Sequence, residues 1–422
     1  MAVDLKRFQA LTRVFDPIYR PQAGASLVGR GAYVADAHGQ YRQQLEAALA
    51  LNDHAKLLAA GQPGCGKTTM LQSIAQSLVD EGRVAVFVDL EVHAALQDLG
   101  LQELHLAASM ELLALIEEGG ATVSEGALGQ AANLLHRMVG GDPGAGLLSE
   151  RFRGVLRGAH DDPEQRRVLR NLVAADPAST PAALLARLLK ELAAHRPVVI
   201  LDGLDKLPPD QARDFFLRDS KPMVDLPGAA VLTIPLSLVY ESSFNVLSER
   251  YNNADSAVLP AIRLYEFDGD ARRRVRFEAG FDVLRRIVTA RAEPIDARAI
   301  MPDAVDRAIE GSGGNIRELA RLLQASIVKA YVRRGEFVES QDVEAAIADQ
   351  RESFRRTLQP RFVPVLKRVR DAFQLDNVDD IGKLLLYGLW VMEYRNGITW
   401  YALPVPVEQL LAQIERSPSH GG

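Results

Sequence analysis

The sequence has a single cysteine, Cys65, in 422 residues. One thiol cannot form an internal disulfide framework or supply a cysteine zinc cluster. Long apolar runs are missing as well. No stretch reaches the roughly 20 residues that a helical membrane span requires. The opening MAVDLKRF lacks the apolar core of a signal peptide. A reducing cytoplasm is therefore the expected compartment, and no membrane partner is expected. An excess of positive charge is absent too: 49 Lys+Arg stand against 55 Asp+Glu, a net charge of −6. The chain as a whole is not an electrostatic nucleic-acid binder. The balance is uneven, since residues 351–422 hold 10 basic and 8 acidic residues, for +2. Subtracting these from the totals leaves 39 basic and 47 acidic residues, for −8. Any attraction for a phosphate backbone lies mainly in the C-terminal part.

The length suits two or three domains. The most informative segment is AKLLAAGQPGCGKTTMLQSIAQSLVDEG, Ala55 to Gly82. It fits G-x-x-x-x-G-K-[ST] at Gly61, Gly66, Lys67 and Thr68. Leu57 to Ala60 reads as a buried parallel strand. Leu71, Ile74, Ala75, Leu78 and Val79 share one helical face, and Gly82 is placed to end that helix. Glycines let backbone amides approach phosphate oxygens, and a helix N-terminus favours an anion. The pattern predicts a cradle for the phosphates of ATP built from Gly61, Pro63, Gly64, Cys65, Gly66, Lys67, Thr68 and Thr69. In it Lys67 reaches the β- and γ-phosphates, and the Thr68 hydroxyl completes a Mg²⁺ shell. Cys65 reads as a small loop residue rather than a catalyst.

Further strands are expected at Arg83–Leu90, Val198–Leu201, Val231–Ile234 and Ala261–Tyr265. Strands alternating with helices predict a parallel sheet covered on both faces. Between Leu90 and Pro197 no clear strand occurs. Helical patterns at Leu101–Glu118 and Pro181–His195, with a glycine-rich stretch at Val139–Leu147, predict a helical insertion. It either covers the sheet or offers a partner surface. Before the first strand, FDPIYRPQAGASLVGRGAYV is rich in turn formers and suited to drape over an adenine, with Tyr33 and Val34 as candidate contacts.

One more residue is missing from its usual place. VVILDGLDK delivers Asp202 at a strand end, the candidate carboxylate that holds Mg²⁺ through water. A glutamate that polarises the attacking water commonly comes next, but here Gly203 does. Asp205, three residues beyond Asp202, is the candidate base; the alternative is a helix-capping or ion-paired aspartate. Slow basal hydrolysis is expected, because misplacement of about 1 Å costs about 10²-fold in rate.

Residues 302–350 read as helical, with the loop GSGGN before IRELARLLQASIVKAYVRR and Ser340 as a helix N-cap. GQPGCGKTT, VVILDGLDK and SGGNIRELARLLQ together resemble AAA+ ATPases of the origin-recognition initiator type, over roughly Ala55 to Gln350 without the insertion. Bacterial relatives of that type often act in mobile-element or antiphage systems. The resemblance implies ATPase activity and nucleotide-driven assembly, with a homo-oligomer or a protein effector as partner. It also implies that Arg317 reports on the γ-phosphate, that Thr233 or Ser237 is a polar sensor, and that Arg250 serves a neighbouring subunit as an arginine finger. The alternative for Arg317 and Arg250 is an ordinary surface arginine. The D-G-hydrophobic-D order around Gly203 is instead similar to STAND and NACHT-type signalling ATPases, which implies a switch acting on a protein effector.

After Pro360, helices are expected at Arg361–Phe373 and Asp379–Leu386, a two-residue hairpin at Asn396-Gly397, and a last helix from about Val407 to Ile414. This predicts a winged-helix-like domain. The run Arg351, Arg355, Arg356, Arg361, Lys367, Arg368 and Arg370 could hold double-stranded DNA without sequence preference. A protein-docking wing is the competing reading. Arg272, Arg273, Arg274 and Arg276 form a second basic cluster. The expected organisation is an N-terminal segment (1–50), a P-loop ATPase domain (51–291) with the insertion at 92–195, a helical lid (292–358), the winged-helix-like domain (359–416) and a disordered tail (417–422). The fold class is an α/β P-loop NTPase.

Overall fold

The computed structural model describes residues 4–17, 33–139, 146–174, 180–218, 221–253, 257–267, 275–375 and 378–416. Most of the segment suited to drape over an adenine, part of the glycine-rich stretch, Arg272 to Arg274 and the expected tail lie outside these residues. The longer helices are α1 (Leu5–Val14), α2 (Gly39–Leu51), α3 (Lys67–Asp80), α4 (Leu101–Glu117), α5 (Glu125–Val139), α6 (Leu148–Asp161), α7 (Pro163–Ala174), α8 (Pro181–Glu191), α9 (Glu278–Asp296), α10 (Pro302–Ser312), α11 (Ile316–Val332), α12 (Ser340–Thr357), α13 (Phe362–Ala372), α14 (Asp380–Tyr387) and α15 (Val405–Arg416). The strands are β1 (Lys56–Gly61), β2 (Ala85–Asp89), β3 (Val198–Asp202), β4 (Ala229–Thr233), β5 (Val258–Leu259), β6 (Tyr265–Glu266), β7 (Val275–Arg276), β8 (Met392–Arg395) and β9 (Thr399–Ala402). The chain forms two compact units, residues 40–60 with 71–258, and residues 1–39 with 61–70 and 259–422.

The unit of residues 40–60 and 71–258 is built on the sheet. Strand order is β2-β3-β4-β1-β5, and the β2–β3, β3–β4 and β4–β1 pairs are parallel. Strands buried on both faces must be apolar throughout, which is why Leu57–Ala60, Val198–Leu201 and Ala229–Leu232 read as unbroken runs. The insertion is helical, as expected. Its central helix α4 is buried along most of its length and packs against β2, α6 and α8. Glu117, at the end of α4, accepts hydrogen bonds from the Leu148 and Ser149 amides and so caps α6. Through α4 the insertion packs on the edge strand β2. His105 of α4 is buried, and burial lowers its pKa to about 4.

In the other unit, α1 and α9 to α12 share one core. Phe8 and Leu11 pack with Phe281, Leu284, Leu319, Leu323, Ile327, Val343 and Ile347. The C-terminal module follows as α13, α14, the antiparallel β8–β9 hairpin and α15, a winged-helix-like order. Trp400 stacks on Tyr394 at 4.5 Å between ring centroids, and Trp390 meets Phe354 and Phe362 edge-on.

Three expectations are corrected. No strand runs from Ala261 to Tyr265. The fifth strand is the short β5, and Pro260 follows it with no amide to continue a ladder. The next amides go elsewhere, Ala261 N–H to the Glu393 carbonyl and Ile262 N–H to the Gly314 carbonyl. Second, the N-cap of α12 is Glu339, whose amide donates to the Asp342 carboxylate at 2.9 Å; Ser340 is the first helical residue and bonds Asp303. Third, the β8–β9 register pairs Arg395 with Thr399. The turn therefore holds three residues, closed by Asn396 N–H on the Ile398 carbonyl.

Candidate nucleotide site

β1 runs into the loop Gly61–Gly66, and α3 opens at Lys67. Gly61, Gly64 and Gly66 all have positive φ. The first amides of α3 have no partner inside the helix, which makes its N-terminus the anion-favouring end. Thr68 is exposed on that first turn, and Lys67 is 5% exposed. The Lys67 ammonium donates to the Gly61 carbonyl at 2.8 Å and the Gln62 carbonyl at 3.3 Å. Cys65 is buried, with its Sγ 4.0 Å from that ammonium.

The loop is braced by residues far along the chain. Asn315 caps α11 by accepting from the Arg317 and Glu318 amides, each at 3.1 Å. Its Nδ2 donates to the Pro63 carbonyl at 2.9 Å. The Arg317 amide also donates to the Gly64 carbonyl at 3.1 Å. A Cβ on Gly64 would stand 2.4 Å from the Arg317 Cβ, so only glycine fits beneath this helix start. Gly314 is held as closely, where a Cβ would meet the Ile262 carbonyl oxygen at 1.8 Å. Gln62 is 2% exposed. Its amide nitrogen donates to the Leu386 and Val391 carbonyls at 2.8 and 2.7 Å, and its oxygen accepts from the Glu393 amide at 2.9 Å.

Arg317 is thus brought to the phosphate loop by its backbone, with its side chain exposed. Tyr33 and Val34 are half-buried; Val34 packs against the lid core, and the Tyr33 ring lies 6.5 Å from that of His38. His38 in turn lies beside Gly66.

The sheet's carboxyl edge, within its own unit, carries the polar residues. Register places Asp202 of β3 opposite Asp89 of β2. Asp202 is buried, and Thr233 at the end of β4 donates to the Leu201 carbonyl at 3.4 Å. Ser237 lies half-buried in the short helical turn Leu236–Val239. Gly203 has φ 99°, in the left-handed region. A Cβ there would find only ordinary contacts at 3.5 Å, so it is the backbone angle that selects glycine over glutamate. Asp205 lies in the 3₁₀ turn Leu204–Lys206, whose Lys206 pairs with Glu91. Arg250 is half-buried and donates to the Leu217 carbonyl at 3.2 Å.

Three residues escaped the sequence reading. Asn315 carried a usable signal, an N-cap residue directly before an amphipathic run. Asp89 ends an apolar run just as Asp202 does. Gln62 carried no signal, because its partners are backbone atoms of a distant segment.

The C-terminal basic run is largely engaged at home. Arg351 bonds Gln409 and Arg355 bonds Gln413 of α15. Lys367 and Arg370 pair with Glu415, and Arg370 also with Asp371. These bonds raise the Arg370 pKa and lower that of Glu415. Arg356, Arg361 and Arg368 are exposed. Arg276 pairs with Asp306 and lies 3.6 Å over the Phe281 ring.

No family profile matches the chain, and no curated protein matches it. Among the solved structures similar to it is Cdc6p from Pyrobaculum aerophilum, with 14% identity, 96% of this chain and 98% of that chain covered, and a TM-score of 0.39. The Aeropyrum pernix ORC1 protein in complex with DNA is another, with 17% identity, 95% and 96% covered, and a TM-score of 0.37. A third is the Aeropyrum pernix ORC2 protein in its ADPNP–ADP complexes, with 14% identity, 96% of each chain covered, and a TM-score of 0.40.

Proposed function

We propose that the chain is a Mg-ATP-binding ATPase that works as a nucleotide-dependent switch with slow basal hydrolysis. The observation that carries this reading is the β1–loop–α3 connection, with the buried Lys67 ammonium under the loop and the helix amides beyond it. Thr68 and Asp202 would hold Mg²⁺, and their oxygen donors suit a hard cation. Mg²⁺ would supply charge neutralisation on the phosphates. Asp205 is the proposed water-positioning base and Arg317 the proposed γ-phosphate reporter. Arg250 is the proposed finger toward a second copy, and Tyr33 and Val34 the proposed adenine contacts. Calorimetry tests the site. Lys67→Ala should weaken ATP by about a hundredfold or more, because a charge-assisted contact to the phosphates is lost. Near wild-type affinity in that variant would remove the reading.

For the partner two readings stand. The first is an ATPase acting on double-stranded DNA, supported by exposed Arg356, Arg361 and Arg368. The second is a STAND-like switch acting on a protein effector, favoured by the internal pairing of Arg351, Arg355, Lys367 and Arg370. The ATPase rate with and without double-stranded DNA separates them. Stimulation supports the first, and an unchanged rate supports the second.

A further inference from the structure

We propose that Gln62 couples nucleotide binding to the conformation of the C-terminal module, so that the module belongs functionally to the phosphate loop. This rests on the nucleotide reading above. One residue is held from two sides. Its backbone carbonyl accepts from the Lys67 ammonium at 3.3 Å. Its side chain makes all three of its short bonds to the segment entering and forming β8: Leu386 and Val391 carbonyls, Glu393 amide. The same strand returns to the lid, since the Tyr394 hydroxyl donates to the Gly313 carbonyl at 2.7 Å. Two residues on, Asn315 holds the Pro63 carbonyl. Loop, hairpin and lid start therefore form a closed ring of hydrogen bonds, buried except at the half-buried Asn315–Pro63 tie.

Such a ring cannot adjust at one point alone. A phosphate that draws Lys67 off the Gly61 and Gln62 carbonyls changes what fixes the peptide of residue 62. That peptide carries the side chain that holds the hairpin. Buried polar groups must stay paired or lose their desolvation cost in full, so the hairpin has to follow or the side chain has to let go. By linkage, whatever moves the hairpin shifts nucleotide affinity by the same factor, about 5- to 150-fold for coupled sites.

The chain reports on this without labels. Its only two tryptophans, Trp390 and Trp400, both lie in the module and are 5% and 1% exposed. The experiment is a titration with ADP and with a non-hydrolysable ATP analogue, following tryptophan emission beside calorimetry. Wild type should show a saturable emission change at the calorimetric midpoint. Gln62→Met removes the three side-chain bonds at similar length. It should still bind nucleotide, with affinity shifted about fivefold or more, while emission no longer responds. Binding by wild type with unchanged emission overturns the coupling alone, and so does an unchanged response in Gln62→Met. No binding by wild type overturns the nucleotide reading and the inference with it. Should Gln62→Met fail to fold, Tyr394→Phe opens the ring at its other tie. Its response should shrink at least about twofold, and a full wild-type response overturns the proposal.

Discussion

Two glycine-bearing turns leave the carboxyl ends of parallel strands, and they are built on opposite plans. The turn after β1 is shaped from a distance: Pro63, Gly64 and Gln62 are tied to Asn315, Arg317 and the segment from Leu386 to Glu393. The turn after β3 closes on its own backbone, Lys206 N–H to Gly203 and Leu207 N–H to Leu204, with the Lys206–Glu91 ion pair beside it. A turn shaped locally can change its chemistry without changing its geometry. A turn shaped remotely cannot, and residues that never touch a ligand then set what it does.

The sharpest way to probe the local turn is Asp205→Asn. Phosphate release should fall by about 10²–10⁴-fold, the range for losing a general base, with ATP affinity and melting temperature kept. Hydrolysis at the wild-type rate would make Asp205 structural. The remote turn is best broken at Asn315. Asn315→Ala strips the α11 cap and leaves the Pro63 carbonyl unpaired, which should cost about 2–3 kcal/mol in urea unfolding. Asn315→Asp keeps the cap acceptor and loses only the donor to Pro63, so its cost should be smaller while nucleotide affinity still drops. Equal stability losses in the two variants would mean that the cap alone matters. The mildest change is Gly203→Ala. There is room for the Cβ, so only the left-handed angle is strained, for about 1–2 kcal/mol. Nucleotide affinity measured by calorimetry should be unaltered. By the same argument, Gly203→Glu should not yield a fast ATPase, since the inserted carboxylate would hang from a strained backbone.

This contrast also explains what could be read in advance. Strands β1 to β4, helix α3 and the helical insertion follow from apolar runs and periodicity, because burial on both sheet faces leaves an unbroken signature. The local turn was readable in outline, as an apolar strand that ends at Asp202. Gly203 looked like a missing catalyst, and the structure gives it a backbone reason. Two of the misses involve distant partners. Ala261–Tyr265 has strand-forming residues, but the Ala261 and Ile262 amides are taken by Glu393 and Gly314. Gln62 is an unremarkable polar residue until the module folds around it. The α12 start lies one residue earlier for a local reason: the Asp342 carboxylate, held by Arg333, accepts from the amide of Glu339 and makes that residue the N-cap.

The fit of Gly64 under α11 bears on how this chain can diverge. Any residue but glycine at position 317 carries a Cβ, so no ordinary replacement of Arg317 would make space for a side chain at 64. Even glycine at 317 would not free the position, because a Cβ on residue 64 would still meet the Asn315 Oδ1 at 2.7 Å on a backbone with φ +83°. Position 64 is therefore held by the lid as well as by any ligand. A descendant that had given up nucleotides would be expected to keep this glycine, so its persistence there would record ancestry rather than activity.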